Sequence, residues 1–169
     1  AFCDGVGDPE DQPDALGRTK VDRFTDFQRL LAAPPQTPRS GMTGEALFAR
    51  VGCATCHTPG YVTGTAPEAA IANQAIQPYS DFLLHDMGEG LADSLGEGEA
   101  SGAEWRTSPL WGLGLSSCVT GGVEGPNQSQ TCVEDASYLH DGRADTIDEA
   151  IRLHGGEAER AAMAYGGLS

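Results

Sequence analysis

Residues 52–59 form the most informative stretch of the chain, Gly52-Cys53-Ala54-Thr55-Cys56-His57-Thr58-Pro59, or GCATCHTP in one-letter code. It places two thiols and one imidazole within residues 53–57. Side chains of these types at such close spacing are typical of a site that holds a metal or a cofactor. Three chemistries use a Cys-x-x-Cys pair: a structural zinc site, a redox dithiol and the covalent attachment of a haem.

The rest of the chain favours haem attachment over the other two chemistries. A structural zinc site needs four ligands, and the remaining pair, Cys118 and Cys132, lacks the close spacing of a zinc knuckle. A thioredoxin-like dithiol follows a strand, whereas the residues before Cys53 predict a helix. Cys-x-x-Cys-His is the pattern of c-type haem attachment. We therefore predict one covalent haem c, with Cys53 and Cys56 on its two vinyl groups and His57 on the iron.

The composition indicates a loop-rich, acidic chain. The 169 residues include 23 glycines and 10 prolines, and 39% are hydrophobic, so a bound prosthetic group would supplement a small apolar core. A formal net charge of −15 disfavours nucleic acid and is typical of a highly soluble, solvated surface. It is also compatible with a redox protein partner, or a second haem domain, that has a cationic docking surface. No run approaches the ~18 apolar residues of a membrane span. Calcium is not expected, because four acidic residues near the start lack the EF-hand spacing: Asp4, Asp8, Glu10 and Asp11.

Apolar spacing and capping residues predict the helices. Apolar residues recur at helical intervals over 20–32. Thr43 is placed to cap a helix that leads into the Cys pair. Thr146 and Glu149 predict a capping box at the start of another helix, which Gly155-Gly156 is expected to end.

The chain shows no convincing strand and no internal repeat. We therefore predict a mainly α fold, a cytochrome c-like helical domain with long loops around one covalently attached haem. Residues 1–40 are expected to form an extended N-terminal segment with a short helix. Residues 41–169 are expected to form the haem domain, with a loop insertion at 116–137.

The other cysteines and the haem chemistry predict an exported protein. A disulfide between Cys118 and Cys132 would close a loop of favourable size, which leaves Cys3 over. Haem c is attached outside the cytoplasm in bacteria, so we predict a periplasmic or extracellular location. The chain begins without an initiator methionine, and we interpret it as a processed or excised product.

Several side chains could supply the ligand on the other side of the iron. The candidates are His85, His140, His154, Met42, Met87 and Met163. His85 and His140 are each followed by an aspartate and then by a nearby glycine, which suits a turn in which the imidazole donates a hydrogen bond. His154 lies at the end of the capped helix, a rigid element from which it could project onto a flat ring.

Four stretches in a fixed order resemble a known family. They are GCATCHTP (52–59), YSDFLLHDMGEGLAD (79–93), EWRTSPLWGLG (104–114) and YLHDGRADTIDEAIRLHGGEAERA (138–161). Together they look like the C-terminal haem domain of the dihaem oxidoreductase family, which is distantly similar to bacterial dihaem cytochrome c peroxidases and to MauG. The resemblance spans roughly residues 42–165.

The resemblance implies a ligand set. In peroxidases of this group, an HDG turn precedes a helix whose end carries the axial ligand of the electron-transferring haem, usually a methionine. By position that ligand is His154 here, which implies a six-coordinate bis-His haem with His57; Met87 is the alternative. The residues that the family-like motifs place around the ring are Arg106 and Arg143, expected near the propionates, and Trp111 and Tyr138, expected to pack against the macrocycle.

The chain departs from the family in its haem count. Members carry two haems, whereas this sequence has one Cys-x-x-Cys-His. It is therefore expected to be a fragment of a longer protein or a one-haem relative. We expect a single-electron transfer domain by itself; the alternatives are the electron-input half of a dihaem peroxidase-like oxidoreductase and a structural cytochrome subunit of a multi-haem assembly.

Overall fold

The computed structural model contradicts the predicted fold class. It describes residues 9–34, 43–116, 123–124, 131–132 and 136–168, with the backbone alone at residues 9, 123–124 and 131–132. Helix accounts for 34% of it and strand for 11%. The expectation of a mainly α, cytochrome c-like helical domain is therefore wrong.

Helices are short throughout the described residues. The α-helices are α1 (Lys20–Leu30), α2 (Gly44–Val51), α3 (Ile147–Arg152) and α4 (Glu159–Gly166). Single 3-10 turns occur at Pro9–Asp11, Cys53–Thr55, Leu113–Leu115 and Gly156–Ala158. Thr43 occupies the N-cap of α2 as predicted, although its side chain makes no capping hydrogen bond.

Three two-stranded ladders take the place of some expected loops. The strands are β1 (Tyr61–Val62), β2 (Ala75–Ile76), β3 (Leu84–Asp86), β4 (Glu104–Arg106), β5 (Val123–Glu124) and β6 (Thr131–Cys132), paired β1 with β2, β3 with β4 and β5 with β6. The β3–β4 pair is antiparallel and sets His85 opposite Trp105. Strands of two or three residues are too short to show the period-two alternation that identifies a strand in a sequence.

The predicted disulfide falls outside what the structure describes. Cys118 lies outside the described residues, and of Cys132 only the backbone in β6 is described. Cys3, Asp4, Asp8 and Met42 lie outside the described residues as well.

The chain divides into two units, of which the first comprises Ala1–Pro34 and Val62–Ile76. Its helix α1 begins at a reciprocal capping box: the Thr19 hydroxyl accepts from the Asp22 N–H at 3.1 Å, and the Asp22 carboxylate accepts from the Thr19 N–H at 2.9 Å. The apolar residues of the predicted helix are 47–63% exposed: Val21, Phe24, Phe27, Leu30 and Leu31.

The second unit comprises Pro35–Tyr61 and Gln77–Ser169. Among the described residues the buried apolar side chains are few and mostly small: Pro78, Leu91, Ala136, Ala144 and Ala150. Helix α3 begins as predicted at Thr146, whose hydroxyl accepts from the Glu149 N–H at 3.1 Å. The Glu149 carboxylate reaches back one residue further than a capping box requires and accepts from the Asp145 N–H at 3.0 Å. The helix ends at Arg152, before the glycines expected to end it.

The two glycines after α3 admit a close backbone approach. A Cβ on Gly156, whose φ is +52°, would lie 2.2 Å from the carbonyl oxygen of Asp86. A Cβ on Gly155 would lie 2.9 Å from the carbonyl oxygen of Met87. The end of β3 therefore packs directly on the turn after α3, and only glycine permits both the contact and the left-handed backbone.

We expect Gly156→Ala to destabilise the protein by about 1–3 kcal/mol, because it adds a clash with the Asp86 carbonyl to a left-handed backbone. Gly44→Ala is the matched control, since Gly44 has nothing within 4 Å of an added Cβ. That helical substitution should leave stability unchanged or raise it by up to about 1 kcal/mol. Denaturant unfolding measures both, and equal effects of the two variants would contradict the close approach.

Candidate haem-attachment site

The end of α2 places the Cys-x-x-Cys-His residues on one tight turn. Gly52 ends the helix in the left-handed region, at φ +101°, and its N–H donates to carbonyls of the last helical turn. The 3-10 turn Cys53–Thr55 follows at once, and the His57 N–H donates to the Cys53 carbonyl at 2.9 Å. Cys53 and Cys56 are free, half-buried thiols. The local sequence thus presents two thiols and an imidazole from a single turn of chain.

The two thiols are poorly suited to a zinc site. Burial raises the pKa of both Cys53 and Cys56, and the negative charges of Asp81 and Glu157 raise that of Cys56 further. Zinc binds the thiolate, so an environment that favours the neutral thiol disfavours that metal. Thioether formation with a vinyl group consumes a thiol and leaves no charge, so this donor set fits haem attachment.

The hydrogen bond of the His57 ring decides which of its nitrogens could bind a metal. Its Nδ1–H donates to the carbonyl oxygen of Tyr79 at 2.9 Å, and because a carbonyl only accepts, Nε2 carries the lone pair. A backbone carbonyl in this position is the usual partner of a metal-binding histidine. Burial lowers the pKa of His57, and the nearby His154 and His85 act in the same direction. The neutral imidazole that iron requires is therefore the favoured form.

Residues 78–81, here called the strap, fix the attachment turn from outside it. The Ser80 N–H donates to the Thr58 carbonyl at 3.0 Å, and the Asp81 N–H donates to the Cys56 carbonyl at 2.8 Å. Ser80 is fully buried. Sequence reasoning missed the strap, although its residues 79–81 open the quoted 79–93 stretch, because backbone hydrogen bonds across this separation leave no pattern in residue types.

The strap also connects the attachment turn to the chain after β4. The Ser80 hydroxyl donates to the Thr107 carbonyl at 2.7 Å, and the Leu110 N–H donates to the Pro78 carbonyl at 2.8 Å. From the other side, the ring of Phe48 in α2 packs edge-on against Tyr79, with centroids 5.8 Å apart. The carbonyl that orients His57 thus belongs to a segment that is held on both sides.

His154 repeats the arrangement of His57. It follows α3, and its Nδ1–H donates to the Ala150 carbonyl at 2.7 Å, so its lone pair also lies on Nε2. The charge of His154 is one of the smaller influences that lower the pKa of His57, after burial. His154 borders an open groove of about 380 Å³, which Met163 also lines.

His85 has both ring nitrogens occupied. Its Nε2 lies 2.8 Å from Asp81 Oδ2, and its Nδ1 lies 3.0 Å from Glu157 Oε2. These contacts, first with Glu157 and then with Asp81, raise the pKa of His85. Cys56, Asp81 and His85 have ligand atoms within 4.8 Å of one another. An imidazolium between two carboxylates has no lone pair for a metal, so His85 acts as a bridge here.

The remaining candidate ligands lie in other surroundings. The His140 ring stacks on Trp105, with centroids 3.5 Å apart and planes at 12°. The Trp105 Nε1–H donates to the Leu91 carbonyl at 3.0 Å, which anchors the stack. Met87 is half-buried, and its N–H donates to the Ala103 carbonyl at 2.9 Å.

The residues expected around the ring occupy varied positions. The Arg143 guanidinium binds the Asp141 carboxylate and the Gly90 carbonyl. Arg106 is exposed on β4, Trp111 is half-buried, and the half-buried Tyr138 forms a backbone bridge with Ala144. Their roles towards the propionates and the macrocycle stay predictions.

Comparison with known families gives the class of protein that these features define. Residues 3–169 match the family described as "Di-haem oxidoreductase, putative peroxidase". The match covers nearly all of the chain, so the chain belongs to the di-haem oxidoreductase family, and its cofactor is haem. No curated protein and no solved structure matches it.

Among the described residues, no helix has the length and apolar character that a membrane crossing needs.

We expect the contact between Glu157 and His85 to make stability depend on pH. The raised pKa of His85 means that the contribution is fully present below 6.5, its ordinary value, and is lost as the pH rises through the folded-state pKa. The Glu157→Gln variant should lose this stabilisation at a lower pH than the wild type, because the hydrogen bond with Glu157 is the larger cause of the raised His85 pKa. Denaturant unfolding of the haem-loaded protein between about pH 6 and pH 9 measures this.

The contribution of Glu157 to stability changes with pH in the opposite direction to that of His85. Hydrogen bonding to His85 lowers the pKa of Glu157, so its contribution is lost as the pH falls through the folded-state value. Glu89→Gln is the matched control, because Glu89 is exposed and adjoins Gly88, which packs on Gly156. This variant should keep the wild-type profile, and a profile of Glu157→Gln that superimposes on it would contradict the bridge.

Proposed function

We propose that this chain is a single-electron transfer domain that carries one covalent haem c with two histidine ligands. Cys53 and Cys56 would hold the macrocycle, and His57 and His154 would bind the iron. The observation that carries the proposal is the pair of matching hydrogen bonds: each imidazole donates from Nδ1 to a backbone carbonyl, which leaves Nε2 to bind a metal.

Bound there, the haem would supply reversible one-electron chemistry. The ligands that the chain supplies would determine whether the iron can bind substrate and at what potential it is reduced. With His57 and His154 both bound to the iron, the chain would leave no open coordination site for peroxide or oxygen. Two imidazoles also favour the ferric state more than an imidazole and a thioether do, which lowers the reduction potential. The hydrogen bonds from His57 and His154 to backbone carbonyls would hold both rings in one orientation.

A second candidate function is favoured by the family description. The family is named for two haems and for peroxidase activity, whereas this chain has one Cys-x-x-Cys-His. In that case the chain is the electron-input half of a peroxidase-like oxidoreductase, and the haem that reacts with substrate is bound elsewhere. The ligands proposed here are the same under both candidates, because an input haem also needs a closed iron.

The proposal includes an exported location and an acidic docking surface. Attachment of haem c takes place outside the cytoplasm, so we place the protein in the periplasm or outside the cell, with Cys118 and Cys132 joined as a disulfide. A net charge of −15 supports a redox partner with a cationic face, or a second haem domain of that kind.

Single-cysteine variants test the attachment. We expect Cys53→Ala and Cys56→Ala each to keep one thioether, and the double variant to lose covalent haem, because each thiol binds one vinyl group. Haem staining after denaturing electrophoresis detects the loss, and the pyridine haemochrome spectrum reports the number of thioethers. Ala54→Ser, between the two cysteines, is the control. Covalent haem in the double variant would contradict the assignment.

The variant His154→Met tests the second ligand. We expect it to change the low-spin ferric signal in electron paramagnetic resonance and to raise the reduction potential, because a thioether donates less to ferric iron than an imidazole. His140→Met is the matched control, since His140 is held on Trp105, and it should leave both measurements at wild-type values. An unchanged axial signature in His154→Met would exclude His154 as the ligand.

A further inference from the structure

We propose that Asp81, His85 and Glu157 form a clamp that positions His154 opposite His57. The inference rests on the proposed function, since it concerns how the second ligand is held. The clamp is a carboxylate–imidazole–carboxylate chain with one end on each ligand-bearing segment. Its members are positioning residues, because they act on the iron through His154 rather than by touching it.

One end of the clamp lies on the turn that carries His154. Glu157 is three residues after His154, in the 3-10 turn Gly156–Ala158. Both of its carboxylate oxygens point back to β3: Oε2 lies 3.0 Å from the His85 Nδ1, and Oε1 accepts from the Asp86 N–H at 3.1 Å. This two-point attachment fixes the turn to β3.

The other end lies on the segment that carries His57. Asp81 Oδ2 lies 2.8 Å from the His85 Nε2, and the Asp81 N–H donates to the Cys56 carbonyl at 2.8 Å. Asp81 is also the last residue of the strap, whose Tyr79 carbonyl orients His57. A continuous chain of hydrogen bonds therefore runs from one proposed ligand segment to the other.

The turn needs such a chain because its other contact with β3 is made by glycines. Gly155 and Gly156 meet β3 through backbone atoms, and a steric contact of this kind limits approach without specifying direction. Charge-assisted hydrogen bonds are directional, so they fix the orientation of the turn, which the glycine contacts leave undetermined. The side chains of Asp81 and His85 are only 11% and 16% exposed, whereas that of Glu157 is 57% exposed. The Asp81–His85 pair is therefore shielded from water, whereas the His85–Glu157 pair is partly screened by it.

Variants of the haem-loaded protein test the clamp by how readily His154 leaves the iron. The readouts are the rate of cyanide binding to the ferric haem and the fraction of high-spin iron. We expect Glu157→Gln to raise the rate about two- to fivefold, the range for a partly exposed ion pair. Asp81→Asn should raise it about tenfold or more, because its pair is shielded. Glu89→Gln removes a charge next to Gly88, which packs on Gly156, and this variant should keep the wild-type rate of cyanide binding.

A double-mutant cycle shows whether the two ends act through His85. If they do, the Asp81→Asn and Glu157→Gln double variant binds cyanide little faster than Asp81→Asn alone. Fully additive effects would overturn the clamp, as would rates in both single variants equal to that of Glu89→Gln. Should Glu157→Gln fold poorly, Glu157→Asp keeps the charge but shortens the reach. Faster cyanide binding in Glu157→Asp supports the clamp, and a wild-type rate overturns it.

Failure of the clamp and failure of the proposed function give different results. A wild-type ferric haem that is high-spin, or an axial signature that His154→Met leaves unchanged, overturns the two-histidine ligation and the clamp with it. A low-spin wild type that responds to His154→Met, combined with clamp variants that match Glu89→Gln, overturns the clamp alone.

Discussion

The candidate site depends on one hydrogen bond, from the Nδ1–H of His57 to the carbonyl of Tyr79. It sets the tautomer of the imidazole and the plane of its ring, and so decides which nitrogen is left to bind a metal. The carbonyl is held in place in turn, because the strap bonds to the attachment turn on one side and to Thr107 on the other.

Backbone contacts do much of the work that a large apolar core does in other proteins. Among the described residues three of the five buried apolar side chains are alanines. Segments distant in sequence meet instead through the buried Ser80, through glycines at Gly155-Gly156 and through short antiparallel ladders. Such contacts tolerate little displacement, since a hydrogen bond weakens steeply with misalignment. That suits a site whose ligands must keep one geometry.

The four histidines show how surroundings divide one residue type among different roles. His57 and His154 each donate to a carbonyl and keep a lone pair on Nε2. His85 lies between two carboxylates and serves as a charged bridge. His140 stacks on an indole. The partner of each ring, rather than its place in a motif, separates the candidate ligands from the others, because a carbonyl only accepts and a carboxylate favours the charged imidazole.

Local features could be predicted from the residues alone. Cys53, Cys56 and His57 predict the cofactor because attachment needs those groups on one turn, and Thr146 marks the start of α3 because capping acts within a few residues. The fold class, the strap and the contact between His85 and Glu157, 72 residues apart, were decided only by the tertiary structure. Strands of two or three residues and hydrogen bonds to distant carbonyls place no constraint on neighbouring residue types. Long-range pairing of this kind therefore leaves no periodicity to read.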